Sequence, residues 1–216
     1  MAEKVPVAVL ISGRGSNMVA LAEHRRRDAE RPYEIVLVAS NVPEARGLVA
    51  ARRLGIPVWS SSHKGLTRDE FDGLLDAELR ARGAEIVALA GYMRLLSAGF
   101  VSAWEGRILN IHPSLLPAHK GLDTHRRAIE AGDVFAGCSV HVVTAELDDG
   151  PLLAQARLRI RPQETPEQLE QRVLAEEHRL YPQALDDYCR AILEARVESP
   201  RLGGVAQPYP PEAGAP

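Results

Sequence analysis

Apolar positions come in short solid blocks in the first half of the chain and in strict alternation later, and this change of rhythm organises everything else. Val5 to Ile11 is a nearly unbroken apolar run, which suits a strand covered on both faces. EIVLVAS (34–40) repeats the pattern, a short third run centres on Val58, and EIVALAG (85–91) and RILNIH (107–112) supply a fourth and a fifth. Helix-compatible stretches separate them: from about Asn17, from Ala45 to Leu54, and from Thr67 to about Arg82. Thr67 and Glu70 have the spacing of a capping box, in which each residue's side chain meets the other's backbone N–H. Strands alternating with helices predict crossover units and a parallel sheet.

Past Gly137 the period becomes two. In LLAQARLRI, Leu152, Ala154, Ala156, Leu158 and Ile160 are expected on one side and Gln155, Arg157 and Arg159 on the other, as in a strand with one wet face. CSVHVVT (138–144) is its expected antiparallel partner, with Asp148, Asp149 and Gly150 in the connection. Thr165 should cap a final helix, with Pro166 in its first position and Gln168 completing a capping box, and Pro182 should kink or divide that helix. The predicted fold is α/β: a mostly parallel twisted sheet with antiparallel C-terminal strands and helices on both faces. One domain is expected over residues 1–198, followed by a Pro/Gly-rich tail over 199–216.

Composition narrows the function classes. With 45% apolar and 25% charged residues and a net charge of −3, the 216-residue chain reads as an ordinary soluble domain. Arg25, Arg26 and Arg27 read as a solvated helix face, so nucleic acid is not an expected partner. Cys138 and Cys189 lack metal or redox spacing, which argues against a disulfide framework or a zinc site and fits a cytoplasmic protein. No signal peptide is expected, and no apolar run approaches the roughly twenty residues that cross a bilayer.

Four segments could carry chemistry. ISGRGSN (11–17) follows the first strand, where glycines permit a tight turn and the free N–H groups of a helix start suit a phosphate. The dinucleotide fingerprint is incomplete, since Met18 stands where a third glycine belongs, and a plain structural turn is the alternative. Asn110 and His112, two apart on a strand, share a face, and Pro113 stops the strand so that both project beyond its carboxyl end, where open parallel sheets bind ligands. Set against this is a structural histidine with satisfied hydrogen bonds. ELDDGP (146–151) is hairpin chemistry on its own, yet it could bring Asp148 to His112 and raise the imidazole pKa. GYMRLLS (91–97) reads either as core or as an apolar wall for a flat ring.

Together LISGRGSNM, LAGYMRLLS, ILNIHPSLLPAHKGLDTH, GCSVHVVTAELDDGP and EEHRLYP resemble the phosphoribosylglycinamide formyltransferases, in order over about residues 5 to 185. The resemblance implies a Rossmann-like formyltransferase fold and formyl transfer from 10-formyltetrahydrofolate, a cosubstrate, to the amine of 5-phosphoribosylglycinamide in purine synthesis, with no metal. It makes Asn110, His112 and Asp148 the catalytic trio and assigns Gly15, Ser16, Asn17 and Glu177 to phosphoribosylglycinamide. Arg68, Met93, Arg94, Leu95, Leu96, Asn110, Thr144, Ala145, Glu146, Leu147 and Asp148 fall to the folate. Arg14, Asp123 and Asp149 depart from common family residues. The partners implied are small molecules, with neither nucleic acid nor membrane, and a homodimer stays open. Formyltetrahydrofolate deformylase shares the Asn-x-His and Asp logic but needs no phosphate turn. Methionyl-tRNA formyltransferase would need a further RNA-binding domain, and a non-catalytic nucleotide-binding module would have no use for Asn110, His112 and Asp148 together.

Overall fold

The computed structural model describes residues 3–198; the tail expected over 199–216 lies outside the described residues. Seven strands among the described residues form one sheet: β1 (Val5–Ile11), β2 (Tyr33–Ser40), β3 (Val58–Ser60), β4 (Ile86–Leu89), β5 (Ile108–His112), β6 (Phe135–Val142) and β7 (Leu152–Arg159). Their spatial order is β3-β2-β1-β4-β5-β6-β7. The pairs from β3 to β5 are parallel, and β5–β6 and β6–β7 are antiparallel, so the change of hydrophobic rhythm marks the change of strand direction. Strand order reverses between β1 and β4, the switch point at which open α/β sheets form a crevice.

Because successive side chains point to opposite faces, each buried strand feeds two cores. Val5, Val7, Val9 and Ile11 of β1 enter one core, with Ile86 and Ala88 of β4 and Leu109 and Ile111 of β5. Helices α1 (Ser16–Arg27), α2 (Arg46–Arg53) and α6 (Pro166–Glu198) supply Met18, Leu21, Leu48, Leu169, Val173 and Leu185 to it. Ala8, Leu10, Val87, Leu89 and Ile108 enter the other, under α3 (Arg68–Ala81) and α4 (Ala98–Ala103), which contribute Phe71, Leu75, Leu79, Phe100 and the following Trp104. The Trp104 indole donates to Asp76 Oδ1 at 2.7 Å and lies under the Arg107 guanidinium, 4.7 Å from the ring centre. A further helix, α5 (Thr124–Glu130), packs against α6 and β6.

The capping boxes form as expected. Thr67 and Glu70 cap each other at the start of α3, and Thr165 and Gln168 exchange bonds of 3.0 and 3.3 Å before α6. Two expectations need correction. Pro182 does not divide α6: one backbone donor is missing there, but buried anchors on either side, Val173 and Tyr181 before and Leu185 and Cys189 after, hold both halves on the sheet. Leu152 is not on the inner face of β7. The register skips Leu153 between Ala154 and Leu152, a bulge that turns Leu153 toward the core and leaves Leu152 exposed.

β6 and β7 approach closely at Gly137, where a Cβ would lie 1.9 Å from the Ala156 carbonyl oxygen, so no larger residue fits the pairing. The Tyr181 hydroxyl is fully buried and lies 3.1 Å from the carbonyls of both Leu89 and Leu109, tying α6 to the carboxyl end of β4 and the start of β5. Tyr181→Phe leaves those carbonyls without this donor and should lower the unfolding free energy by about 1–2 kcal/mol. Urea denaturation checks this, and an unchanged midpoint would mean that the hydroxyl contributes nothing.

Candidate active site

Asn110 and His112 do share a face, and β6 completes it. In the antiparallel register Asn110 stands opposite His141 and His112 opposite Ser139. The alternate residues of both strands, Leu109, Ile111, Cys138 and Val140, fill the core under α6. The polar set therefore faces away from that core, toward the loops after β5 and β6.

The Asn110 Nδ2 lies 3.2 Å from His141 Nε2, while His141 Nδ1 is 3.1 Å from the Val142 carbonyl, which can only accept. His141 Nδ1 therefore donates to Val142, and its Nε2 lies between the Asn110 amide and the Asp148 carboxylate. Asp148, in the left-handed region at φ 49°, turns its carboxylate inward from the β6–β7 connection. One oxygen accepts from the Gly121 N–H at 3.0 Å and lies 3.4 Å from His112 Nδ1; the other lies 3.6 Å from His141 Nε2. His112 Nε2 donates to the His119 carbonyl at 3.1 Å. Both ring nitrogens of His112 thus face acceptors, an arrangement that only the doubly protonated ring satisfies in full.

Burial would raise the Asp148 carboxyl, but the approach of His141, the Gly121 N–H and the neighbouring imidazoles together hold it below its ordinary range. For His112 the balance falls the other way. Burial pushes the imidazole below its ordinary value, His141 and Arg127 add to this, and the His119 carbonyl and the Asp148 charge oppose it. Asp148 therefore acts in the direction expected from the sequence, yet the net shift is downward because desolvating the cation outweighs it.

The turn after β1 lies at the same edge of the sheet. Gly15 precedes α1 at φ 72°, and a Cβ there would come 2.9 Å from Gly47 Cα, so the turn needs glycine for packing as well as conformation. Ser16 opens α1. Asn17 is buried and donates to Glu177 Oε2 of α6 at 2.7 Å, while its own Oδ1 has no partner among the described residues. Ser12 joins this turn to the loop after β4, its N–H donating to the Gly91 carbonyl at 3.1 Å and its Oγ accepting from Met93 N–H at 2.8 Å.

In that loop Met93 and Leu95 are exposed and Leu96 half-buried. Arg94 reaches the Thr67 carbonyl at 3.0 Å and lies over Phe71, which sets the loop beside Arg68 at the start of α3. Thr144 Oγ lies 3.4 Å from the Glu146 carbonyl, and Ala145, Glu146 and Leu147 are exposed. Among the described residues no hydrogen bond or ion pair joins the 144–148 segment to Arg68 or to residues 93–96. An open apolar depression between α1 and α2, lined by Val19, Arg46, Val49, Ala50, Arg53 and Leu54, contains none of these groups.

The three departures have partners: Arg14 with Glu170 at 3.6 Å, Asp123 with Arg126 at 2.6 Å, and Asp149 with Lys120 across the mouth of the cleft. Sequence reasoning passed over His141 and the Gly121 N–H. The signal for His141 was available in CSVHVVT, where Ser139 and His141 interrupt the apolar residues at every second position.

Burial pushes the Glu177 carboxyl up to about 7, against the hydrogen bond from Asn17 and with help from Glu170. The unfolded value is near 4.5, so between about 4.5 and 7 the folded chain keeps a proton that the unfolded chain has lost. The stability due to that proton is complete below about 4.5 and gone once the pH has risen through about 7. Relative to Glu177→Gln, the wild type should lose about 1–3 kcal/mol on going from the acid to the alkaline side. Denaturation of both proteins at the two extremes checks it, and parallel curves would remove Glu177 as the cause. Glycine substitutions separate packing from ligand approach: Gly15→Ala should destabilise the fold by about 1–2 kcal/mol, while Gly13→Ala, whose Cβ meets nothing within 4 Å, should leave thermal unfolding unchanged.

Comparison with known proteins agrees with this arrangement. The family described as "Formyl transferase" matches residues 5–185. The phosphoribosylglycinamide formyltransferase of Escherichia coli (strain K12) is 38% identical over 95% of this chain and 96% of its own length. The trifunctional purine biosynthetic protein adenosine-3 of Gallus gallus is 46% identical over 84% of this chain, which spans only 18% of that longer protein. The crystal structure of glycinamide ribonucleotide transformylase 1 from Symbiobacterium toebii superposes with a TM-score of 0.85 at 41% identity, covering 89% of this chain and 91% of that one. The mixed sheet, the order of its motifs and these likenesses together make the chain a member of the formyl transferase family, in its phosphoribosylglycinamide formyltransferase branch.

Proposed function

We propose that the chain transfers the formyl group of 10-formyltetrahydrofolate to the amine of 5-phosphoribosylglycinamide, giving phosphoribosyl-N-formylglycinamide and tetrahydrofolate. The observation that carries this reading is the convergence of Asn110, His112 and Asp148 in one cleft, with the strand-to-helix turn at Gly15 and Asn17 along the same sheet edge. The N–H groups at the start of α1 suit a phosphate, and Asn17 Oδ1 and Glu177 suit ribose or glycinamide hydrogen bonds. Met93, Leu95 and Leu96 offer apolar surface to a pterin, Thr144 to Asp148 offer it polar contacts, and Arg68 and Arg94 offer charge to the carboxylates of its tail.

The neutral amine attacks the formyl carbon, and negative charge gathers on the formyl oxygen. The second N–H of the Asn110 amide and the His112 imidazolium stabilise that oxyanion. The Nε2 proton of His112 rests on a neutral carbonyl, and a developing oxyanion, the stronger acceptor, draws it away while Nδ1 keeps facing Asp148. Asp148, ionised and close to the site, takes up the amine proton through water. The proton taken up by Asp148 then passes through water to N10, the C–N10 bond breaks, and the carbonyl re-forms. The substrates are small molecules, and no helix among the described residues is long and apolar enough to cross a membrane.

Absorbance assays separate the readings: turnover should require formyl-folate and phosphoribosylglycinamide together, and formate release from formyl-folate alone would instead indicate a deformylase. His112→Ala should lower kcat about 100- to 1,000-fold with the fold intact. Asp148→Asn should lower the His112 pKa further, so the alkaline limb of the rate profile moves to lower pH and some activity returns on acidification. An Asp148→Asn enzyme inactive at every pH would instead assign Asp148 chiefly to proton acceptance.

A further inference from the structure

Outside the groups used so far, the loop after β5 takes part in a second, half-buried pair. His119 Nε2 lies 2.6 Å from Asp133 Oδ2, 14 residues further on. Asp133 sits on a fixed turn between α5 and β6, its own N–H bonded to the Ala128 carbonyl at 3.0 Å. His119 adopts φ 53°, in the left-handed region, so its side chain and carbonyl are presented to different neighbours. The side chain goes to Asp133 and the carbonyl takes the Nε2 proton of His112.

On the N-terminal side the loop is fixed by Leu116, whose N–H donates to Ser139 Oγ at 3.0 Å and whose carbonyl accepts from Gln155 at 2.9 Å. Beyond His119, the Lys120 carbonyl accepts from Arg127 at 2.6 Å. Between these points Ser114 Oγ donates to the Ala118 carbonyl at 2.6 Å from within the loop, and the His119–Asp133 pair anchors the peptide that faces the catalytic ring from outside it. We propose that this pair is a positioning device for catalysis: by fixing the His119 carbonyl against His112 Nε2 it holds a proton on that nitrogen and sets the orientation of the ring, acting through His112 rather than on substrate.

The electrostatics around the ring explain why one carbonyl matters. His112 is faced by Asp148 from the β6–β7 connection, by His141 from β6, by Arg127 and His125 from α5, and by the His119 carbonyl from its own loop. Burial, His141 and Arg127 oppose the cation; the His119 carbonyl and Asp148 favour it, the carbonyl the more. A dipole acts over a short range, so a small displacement of the loop would remove most of its effect, whereas the charge of Asp148 would persist.

The inference rests on the reading of His112 as the cationic oxyanion donor, but its test does not require turnover. NMR titration of the histidines in the wild type, Asp133→Ala and Asp133→Asn reads the His112 ring directly. Asp133→Ala should move the His112 titration to lower pH. Asp133→Asn, whose amide oxygen still accepts from His119, should lie nearer the wild type, and His119→Leu, which removes the pair from the other side, should move it as Asp133→Ala does. In turnover, Asp133→Ala should lose about three- to ten-fold in kcat on the alkaline side, the size of one net hydrogen bond. Acidification should restore it, with the KM for both substrates unchanged. A His112 titration unmoved in both Asp133→Ala and His119→Leu, an Asn variant displaced as far as the Ala variant, or a loss of kcat equal at every pH would overturn the proposal. A wild type that titrates as expected but does not turn over would overturn the functional reading and leave the linkage intact.

Discussion

Everything in the cleft depends on which side of β5 and β6 the core under α6 takes. β5 and β6 are short of apolar residues on one side only, and the antiparallel register places Asn110 against His141 and His112 against Ser139 there. On the opposite side the same two strands are apolar throughout and lie under α6. Period-two alternation thus decides which groups reach the loops, and the burial of Leu109, Ile111, Cys138 and Val140 fixes that decision, since a slip of one residue would exchange the two faces. The polar set is held in place by the hydrophobic effect acting on the apolar side of the same two strands.

Holding such groups half out of water has an electrostatic cost, which the structure distributes. Asp148 has a backbone N–H and two imidazoles about it and stays ionised; His112 has two acceptors but loses more from burial than they return. The result is an acid weakly attached to its proton, suited to a task in which hydrogen bonding must strengthen as charge develops rather than before. Glu177 follows the same logic with the opposite sign, since burial outweighs its single bond from Asn17 and raises it to about 7.

Much of this was legible in the sequence because it depended on local rules. Solid apolar runs marked the parallel strands, alternation marked the antiparallel ones, and Thr67 with Glu70 and Thr165 with Gln168 marked two helix starts. Asn110 and His112 could be placed on one face from spacing alone. What could not be read was whatever depends on register or on packing across distance: the bulge that turns Leu152 outward, the survival of α6 through Pro182, the partnership of Asn110 with His141, and the Gly121 N–H on Asp148. The short helices α4 and α5 were missed because six and seven residues carry too little periodicity to stand out. The sign of the His112 shift escaped for a related reason, since a neighbouring carboxylate can be guessed from a turn but the depth of burial cannot.

The position of α6 also governs how this chain can come into being during synthesis. β1 lies in the middle of the sheet and is made first, whereas the helix that closes one of its cores is the last described element. Until Leu169, Val173, Tyr181, Leu185 and Ile192 have all left the ribosome, the face shared by Val5, Val7, Leu109, Ile111 and Val140 has only α1 and α2 to cover it. A nascent chain that has reached about residue 160 therefore carries a nearly finished sheet with much of one apolar side in water, a state prone to self-association. Glu177 and the Tyr181 hydroxyl arrive in the same helix, so the closing of the core and the completion of the cleft are a single late event.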